Sequence, residues 1–108
     1  MTIRESNDIR IIDVNGDLDS YASTDLRKEL DALQRQKNYK IVVNLSNVGY
    51  VNSTAVGALV GTAKQIRRRS GDLKIYGLAD NLKRTFDLVG ASKVLELYDS
   101  ESDAISSF

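Results

Sequence analysis

The sequence predicts an α/β domain: a mostly parallel sheet of four or five strands, with an antiparallel edge strand at the N-terminus and about four helices packed against it. Two observations carry that expectation. Short runs rich in β-branched residues alternate with stretches of helical periodicity along all 108 residues. Strands separated by helices need crossover connections, and right-handed crossovers lay such strands parallel in one sheet.

Asp8–Asn15 (DIRIIDVN) reads as a strand, because Ile9, Ile11, Ile12 and Val14 suit a pleated surface and Gly16 ends the run. A shorter strand around Ile3–Ser6 precedes it across the turn-forming pair Asn7-Asp8. The polar segment GDLDSYAST then leads into a helix over Thr24–Gln36, with Leu26, Leu30 and Leu33 on one face. Ser23 or Thr24 is expected to cap it, with Asp25 in the first turn. Lys40–Leu45 (KIVVNL) is an almost unbroken apolar run, the pattern of a strand covered on both faces.

A long helix follows from about Ser53 to Ser70, with Val56, Leu59, Val60, Ala63 and Ile66 as its apolar stripe. Arg67, Arg68 and Arg69 fall in its last turn and complement the helix dipole, and Gly71 is expected at the left-handed position beyond it. Leu73–Leu78 is the next core strand. Asp80 is read as the cap of a short helix with Leu82, Phe86 and Val89 inward, stopped by Gly90. Lys93–Tyr98 is the last strand, and Ser100–Phe108 a closing helix with Ala104, Ile105 and Phe108 inward. No linker, internal repeat or low-complexity segment interrupts residues 1–108, so one domain is expected.

Composition narrows the chemistry. The chain has 42% hydrophobic and 28% charged residues, and no Cys, His, Trp or Pro. A chain of this length buries roughly two-thirds of its unfolded surface and needs no disulfide or metal staple. Without Cys there is no thiol nucleophile or thiolate metal site, and without His the usual residue for acid–base work and zinc binding is missing. A Ser–His triad is impossible. No metal or cofactor is expected. Fifteen basic and fifteen acidic residues cancel, so the basic excess that nucleic-acid binders use against phosphate is not there. The polar N-terminus does not read as a signal peptide, and no apolar run approaches the roughly 20 residues of a membrane span. A soluble cytoplasmic protein is the expectation.

The informative segment is Asn44–Gly61, NLSNVGYVNSTAVGALVG. A buried strand ends at Leu45, a short loop crosses, and Asn52-Ser53-Thr54 opens the long helix, with Asn52 or Ser53 as cap. Ala55, Gly57, Ala58 and Gly61 keep its first turns small, so other backbone can approach. A serine there sits among free backbone N–H groups that tolerate an anion. Local chemistry alone is also satisfied by plain capping and close helix–sheet packing.

YVNSTAVGALVG resembles the signature of STAS domains in anti-sigma-factor antagonists, where Asp-Ser-Ser/Thr-Gly leads into a Gly-rich helix. GDLDSY (Gly16–Tyr21) is similar to that family's Gly-Glu/Asp-hydrophobic-Asp loop, and Gly71–Gly90 to its fourth-strand and third-helix region. The resemblance covers essentially the whole chain. It implies a partner-switching protein, not an enzyme: the unmodified domain binds an anti-sigma factor that is also a serine kinase, phosphorylation of Ser53 releases it, and a PP2C-type phosphatase resets it. It further implies a contact surface of Asp19, Tyr21, Asn52, Thr54, Ala55 and Gly57 around Ser53, with Asp19 positioning the hydroxyl and repelling the phosphate. Read locally, Asp17 and Asp19 are equally solvated loop acids, and Tyr21 and Tyr50 cover core edges.

Two positions depart from the family pattern. Asn52 stands where an acidic residue is usual, and Ala55 where Gly is common. Asn keeps the shape and capping ability of Asp but removes a charge beside the acceptor. That change favours the alternative of a STAS scaffold that is never phosphorylated, or a small subunit of a larger assembly such as a transporter-associated module. A phospho-receiver or nucleotide-hydrolysing enzyme on a similar plan is disfavoured: Asn44-Leu45-Ser46-Asn47 supplies no acceptor carboxylate, and no phosphate-binding glycine loop follows any strand.

Overall fold

The alternation of extended and helical periods resolves into one sheet with helices on both faces. A computed structural model describes residues 1–108. Its strands are β1 (Thr2–Ser6), β2 (Ile9–Asn15), β3 (Lys40–Asn47), β4 (Asp72–Tyr76) and β5 (Glu96–Tyr98). Its helices are α1 (Ser20–Arg35), α2 (Ser53–Arg67), α3 (Asp80–Leu88) and α4 (Glu101–Ser106). The sheet order is β1-β2-β3-β4-β5, with β1 antiparallel to β2 and every other pair parallel. Asn7 adopts φ 55° in the β1–β2 turn, the left-handed state Asn tolerates in tight hairpins.

Because the parallel strands follow one another across the sheet, the crossovers through α1, α2 and α3 stack on the same face. There they enclose a core of 24 buried residues, including Ile12, Leu26, Val43, Leu59, Ile75 and Phe86. The other face carries a smaller cluster of Ile9, Ile11, Val42, Tyr76 and Ala104 beneath α4. Val42 therefore faces one layer and Ile41 and Val43 the other, which explains the unbroken apolar run of β3.

Element ends differ from expectation where a tertiary contact decides them. Helix α1 begins at Ser20, not Thr24, because Asp19 caps it by accepting from the Ala22 amide at 3.0 Å. Ser23 is then a buried residue inside the helix instead of its cap, and Asp25 lies past the first turn. Periodicity was silent there because Ser20 and Tyr21 face solvent. Helix α2 stops at Arg67, short of Ser70, and the left-handed residue is Ser70 (φ 61°) instead of Gly71. Ser70 N–H bonds to Arg67 O at 3.2 Å and Gly71 N–H to Ile66 O at 2.9 Å, the paired bonds of a Schellman turn. Gly71 is needed for a different reason: a Cβ there would lie 1.9 Å from the Tyr39 carbonyl oxygen.

Strand β4 ends at Tyr76, two residues before Leu78, as Gly77 turns the chain at φ 83°. Ala79, not Asp80, occupies the cap of α3, and Asp80 contributes from the first turn. Leu82 and Phe86 point inward as expected, whereas Val89 falls just beyond the last turn and is 60% exposed. Gly90 stops the helix with φ 77°. A 3-10 turn over Ala91–Lys93 takes up the start of the expected last strand and leaves β5 only three residues long. In α4, Ala104 is buried and Ile105 half-buried, but Phe108 lies beyond the helix end and is exposed.

Candidate functional site

Strands β2 and β3 run parallel, so their C-terminal ends open at the same edge of the sheet, where α/β folds assemble their sites. The two exit loops are laced together. Gly16 N–H bonds to Asn47 O at 3.1 Å, Leu18 N–H to Tyr50 O at 2.8 Å and Asn52 N–H to Leu18 O at 3.0 Å. Leu18 and Val51 form a parallel bridge and are both buried. Asp17 accepts from the Gly49 amide at 3.2 Å. The GDLD segment and the Asn-Ser-Thr segment are therefore one structure, and it sets the N-termini of α1 and α2 side by side.

Asn52 joins them. Its Oδ1 accepts from the Ala55 amide at 2.9 Å, which caps α2, and from the Ser23 hydroxyl of α1 at 2.7 Å. Ser23 itself is buried, and the Leu18 carbonyl lies 3.3 Å from the same hydroxyl. Sequence reading missed Ser23 because its partner is 29 residues away. Its only trace was a small polar residue in register with the leucine stripe of α1.

Ser53 is the first residue of α2, and both Ser53 and Thr54 are exposed. Of the first-turn amides, Ala55 is occupied by Asn52 Oδ1 and Val56 by Asn52 O at 3.2 Å. Those of Ser53 and Thr54 remain open, the donors on which a helix N-terminus receives an anion. No Lys or Arg occurs in residues 15–23 or 44–63, so these segments offer amides and the carboxylates of Asp17 and Asp19 but no cation. Asp19 is exposed and holds the start of α1, so it combines a capping role with a place on this edge.

Tyr21 and Tyr50 are 87% and 51% exposed, which corrects their reading as cover for core edges and puts both on the surface of this site. Ala55 is fully buried, so as a contact side chain it is corrected: its methyl packs in the core and its amide takes the cap. Gly57 is exposed, and nothing lies within 4 Å of where a Cβ would be. Helix interiors disfavour Gly by about 0.5–1 kcal/mol relative to Ala, and the fold gives no packing reason for it here.

Gly57 belongs to a feature the sequence did not disclose. A groove of about 430 Å³ runs between α2 and the α3–3-10 segment, from Ser53 at one end to Lys64 at the other. Val51, Val56 and Val60 form one wall and Val89, Ala91 and Val94 the other. The expectation that Val89 faces the core concealed it.

The family model for the STAS domain matches residues 1–104. The chain belongs to the STAS domain family. It is similar to the anti-sigma-B factor antagonist of Listeria monocytogenes serovar 1/2a, at 31% identity over 93% of this chain and 87% of the relative. Against the anti-sigma-B factor antagonist of Bacillus subtilis strain 168 the identity is 32%, over 87% of this chain and 84% of the relative. The fold matches the solved Bacillus anti-sigma factor antagonist SpoIIAA in its unphosphorylated form, with TM-score 0.79, 17% identity, and coverage of 98% of this chain and 94% of that one. The phosphorylated form of SpoIIAA gives TM-score 0.76 at 18% identity, over 98% of this chain and 96% of that one. This STAS domain is of the antagonist kind, whose members bind and do not catalyse. No helix is long and apolar enough to cross a membrane.

Proposed function

We propose that residues 1–108 act as one STAS domain that binds an anti-sigma factor with serine-kinase activity, and that phosphorylation of Ser53 ends the complex. In the bound state the γ-phosphoryl group of ATP passes to Ser53 Oγ, a base of the kinase takes the hydroxyl proton, and ADP leaves. A PP2C-type phosphatase then hydrolyses the phosphoserine and restores the hydroxyl. The setting is the cytoplasm, where sigma factors act.

The observation that carries this reading is the outward position of Ser53 at the first residue of α2, beside two open amides. Phosphorylation adds about −1.5 to −2 charges and three strong acceptor oxygens. The amides of Ser53 and Thr54 can receive that group without any change in fold, whereas a docked partner must desolvate it beside Asp17 and Asp19. Turning a 99:1 population of the complex into 1:99 takes roughly 5.5 kcal/mol of differential affinity. A buried dianion without a cation is of that order or larger.

Asn52 favours a second reading, a STAS domain that binds partners without being phosphorylated, because no carboxylate stands next to the acceptor. The two are separated by incubating the protein with its cognate kinase and ATP and mapping the phosphopeptides. Label on Ser53 is expected, with Ser53→Ala folding and binding normally and Ser53→Asp folding but binding weakly. No label, or equal binding by both variants, would leave only the second reading.

A further inference from the structure

We infer that the groove between α2 and α3 is a docking slot for the same anti-sigma partner, taking an aliphatic or aromatic side chain between its valine walls and a carboxylate on Lys64. The inference rests on the partner-switching reading above and adds to it the chemistry of the surface the partner must present.

Four observations converge on one occupant. Ser53, Gly57, Val60 and Lys64 lie at successive four-, three- and four-residue steps of α2, with Val56 beside Gly57, so a single helix face leads from the acceptor to the cation. At the helical rise that face spans roughly 16 Å, the length of about three helical turns of a partner. Lys64 is the one charged residue lining the groove, and it takes part in no ion pair of this chain. Charge complementarity therefore asks for an acid at that end.

Val89 on the far wall is 60% exposed, and Leu88, next to it in the chain, is 81% exposed, the most exposed aliphatic pair of the molecule. Adjacent apolar side chains left in water beside an apolar cleft mark a protein-contact surface. Gly57 lines the groove, with nothing within 4 Å of where a Cβ would be. A glycine that the fold does not require, on the wall that leads to the acceptor, admits close approach of another chain. Phosphate on Ser53 would stand at the mouth of this slot, so one modification both repels the partner and obstructs its anchor.

The test is calorimetric titration of the domain with its cognate anti-sigma factor in ADP, so that no phosphate is transferred. Val89→Glu and Gly57→Leu are expected to weaken binding roughly tenfold or more. Lys64→Glu is expected to weaken it in a way that shrinks as salt is raised, since the new like-charge contact is screened. Arg69→Glu, beyond the far end of α2, is the control and is expected to bind like wild type. Gly57→Leu and Val89→Glu should both melt close to the wild-type temperature, since Gly57 has open space where a Cβ would be and Val89 is exposed, which separates lost binding from lost folding. Wild-type affinity in both Val89→Glu and Gly57→Leu would overturn the slot while leaving the partner-switching reading in place. A salt-independent or neutral Lys64→Glu would overturn the carboxylate. Failure of the unmodified domain to bind any anti-sigma factor would overturn the partner-switching reading itself, and the slot with it.

Discussion

Asn52 Oδ1 receives the Ala55 amide and the Ser23 hydroxyl together, so truncating this side chain strands donors on two helices. Losing a helix cap costs about 0.5–2 kcal/mol, and a buried hydroxyl left without its acceptor adds to that. The Leu18 carbonyl at 3.3 Å gives Ser23 a poorer alternative, which limits the second contribution. Asn52→Ala should therefore lower stability by about 1–3 kcal/mol. Ser23→Ala should cost about 1 kcal/mol, because Asn52 then keeps its amide partner. Asn52→Asp offers the same oxygen to both donors and places a negative charge at the N-terminus of α2, so it should be neutral or stabilising by up to about 1 kcal/mol. Urea titrations of the three variants check this. An Asn52→Asp protein as weak as Asn52→Ala would mean that the amide nitrogen, and not the oxygen, matters. The cap was legible from Asn52-Ser53-Thr54 alone, since small polar residues before an apolar stripe have a local reason to be there. The Ser23 bond was not, because it exists only once the loops after β2 and β3 are laced together.

At the level of elements, the order of strands and helices was readable because each element carries its own period, and β2, β3 and the body of α2 fall where their apolar residues put them. The ends were less readable because neighbours set them. The C-terminus of α2 is the clearest instance: Gly71 looked like the left-handed residue, yet Ser70 adopts that conformation and Gly71 serves an approach to Tyr39. The two positions should respond oppositely. Ser70→Gly relieves a left-handed residue with a side chain and should be neutral or stabilising by up to about 1 kcal/mol. Gly71→Ala forces its Cβ against the Tyr39 backbone, where Asp72 N–H also bonds to Tyr39 O at 2.9 Å. The start of β3 or β4 must then move, at a cost of roughly 2–3 kcal/mol. Thermal melts of the pair decide it, and equal tolerance at both sites would contradict the assignment of roles.

Across the whole molecule the two faces of the sheet are held by different forces. The α1–α2–α3 face buries a large apolar core, while α4, six residues long, covers the other face with one fully buried side chain and a web of ion pairs. Arg4 of β1 holds Asp13 of β2 and Glu101 of α4, and Tyr76 of β4 donates to Glu101 at 3.0 Å. Sequence periodicity could not show this web, because charges on a strand face read as solvated until a helix is laid over them. The hydrogen bond from Arg4 holds both Asp13 and Glu101 below their ordinary values, and Lys74 does the same for Glu96. A depressed carboxylate contributes stability above its unfolded value, here 3.8 for Asp and 4.5 for Glu, and that contribution is lost as pH falls through the lower folded value. On the alkaline side, burial and then the bond to Glu101 push Tyr76 up to about 12 from 10.0, so its contribution is complete below 10 and fades as pH rises through about 12. Burial alone would lower Lys74, but the hydrogen bond and charge of Glu96, with Asp72, outweigh it, and the raised value acts in the same alkaline direction. With no histidine in the chain, stability should be nearly flat between pH 6 and 8 and fall below about 4 and above about 10. The acid loss should begin at α4, since that helix has the least apolar burial and the most to lose from protonation. Hydrogen exchange at pH 3.5 should then show residues 101–106 opening before β3, and Glu101→Gln should bring that early opening to neutral pH. Cooperative loss of α4 and β3 together at acid pH would mean that the small apolar cluster, and not the ion pairs, holds the helix in place.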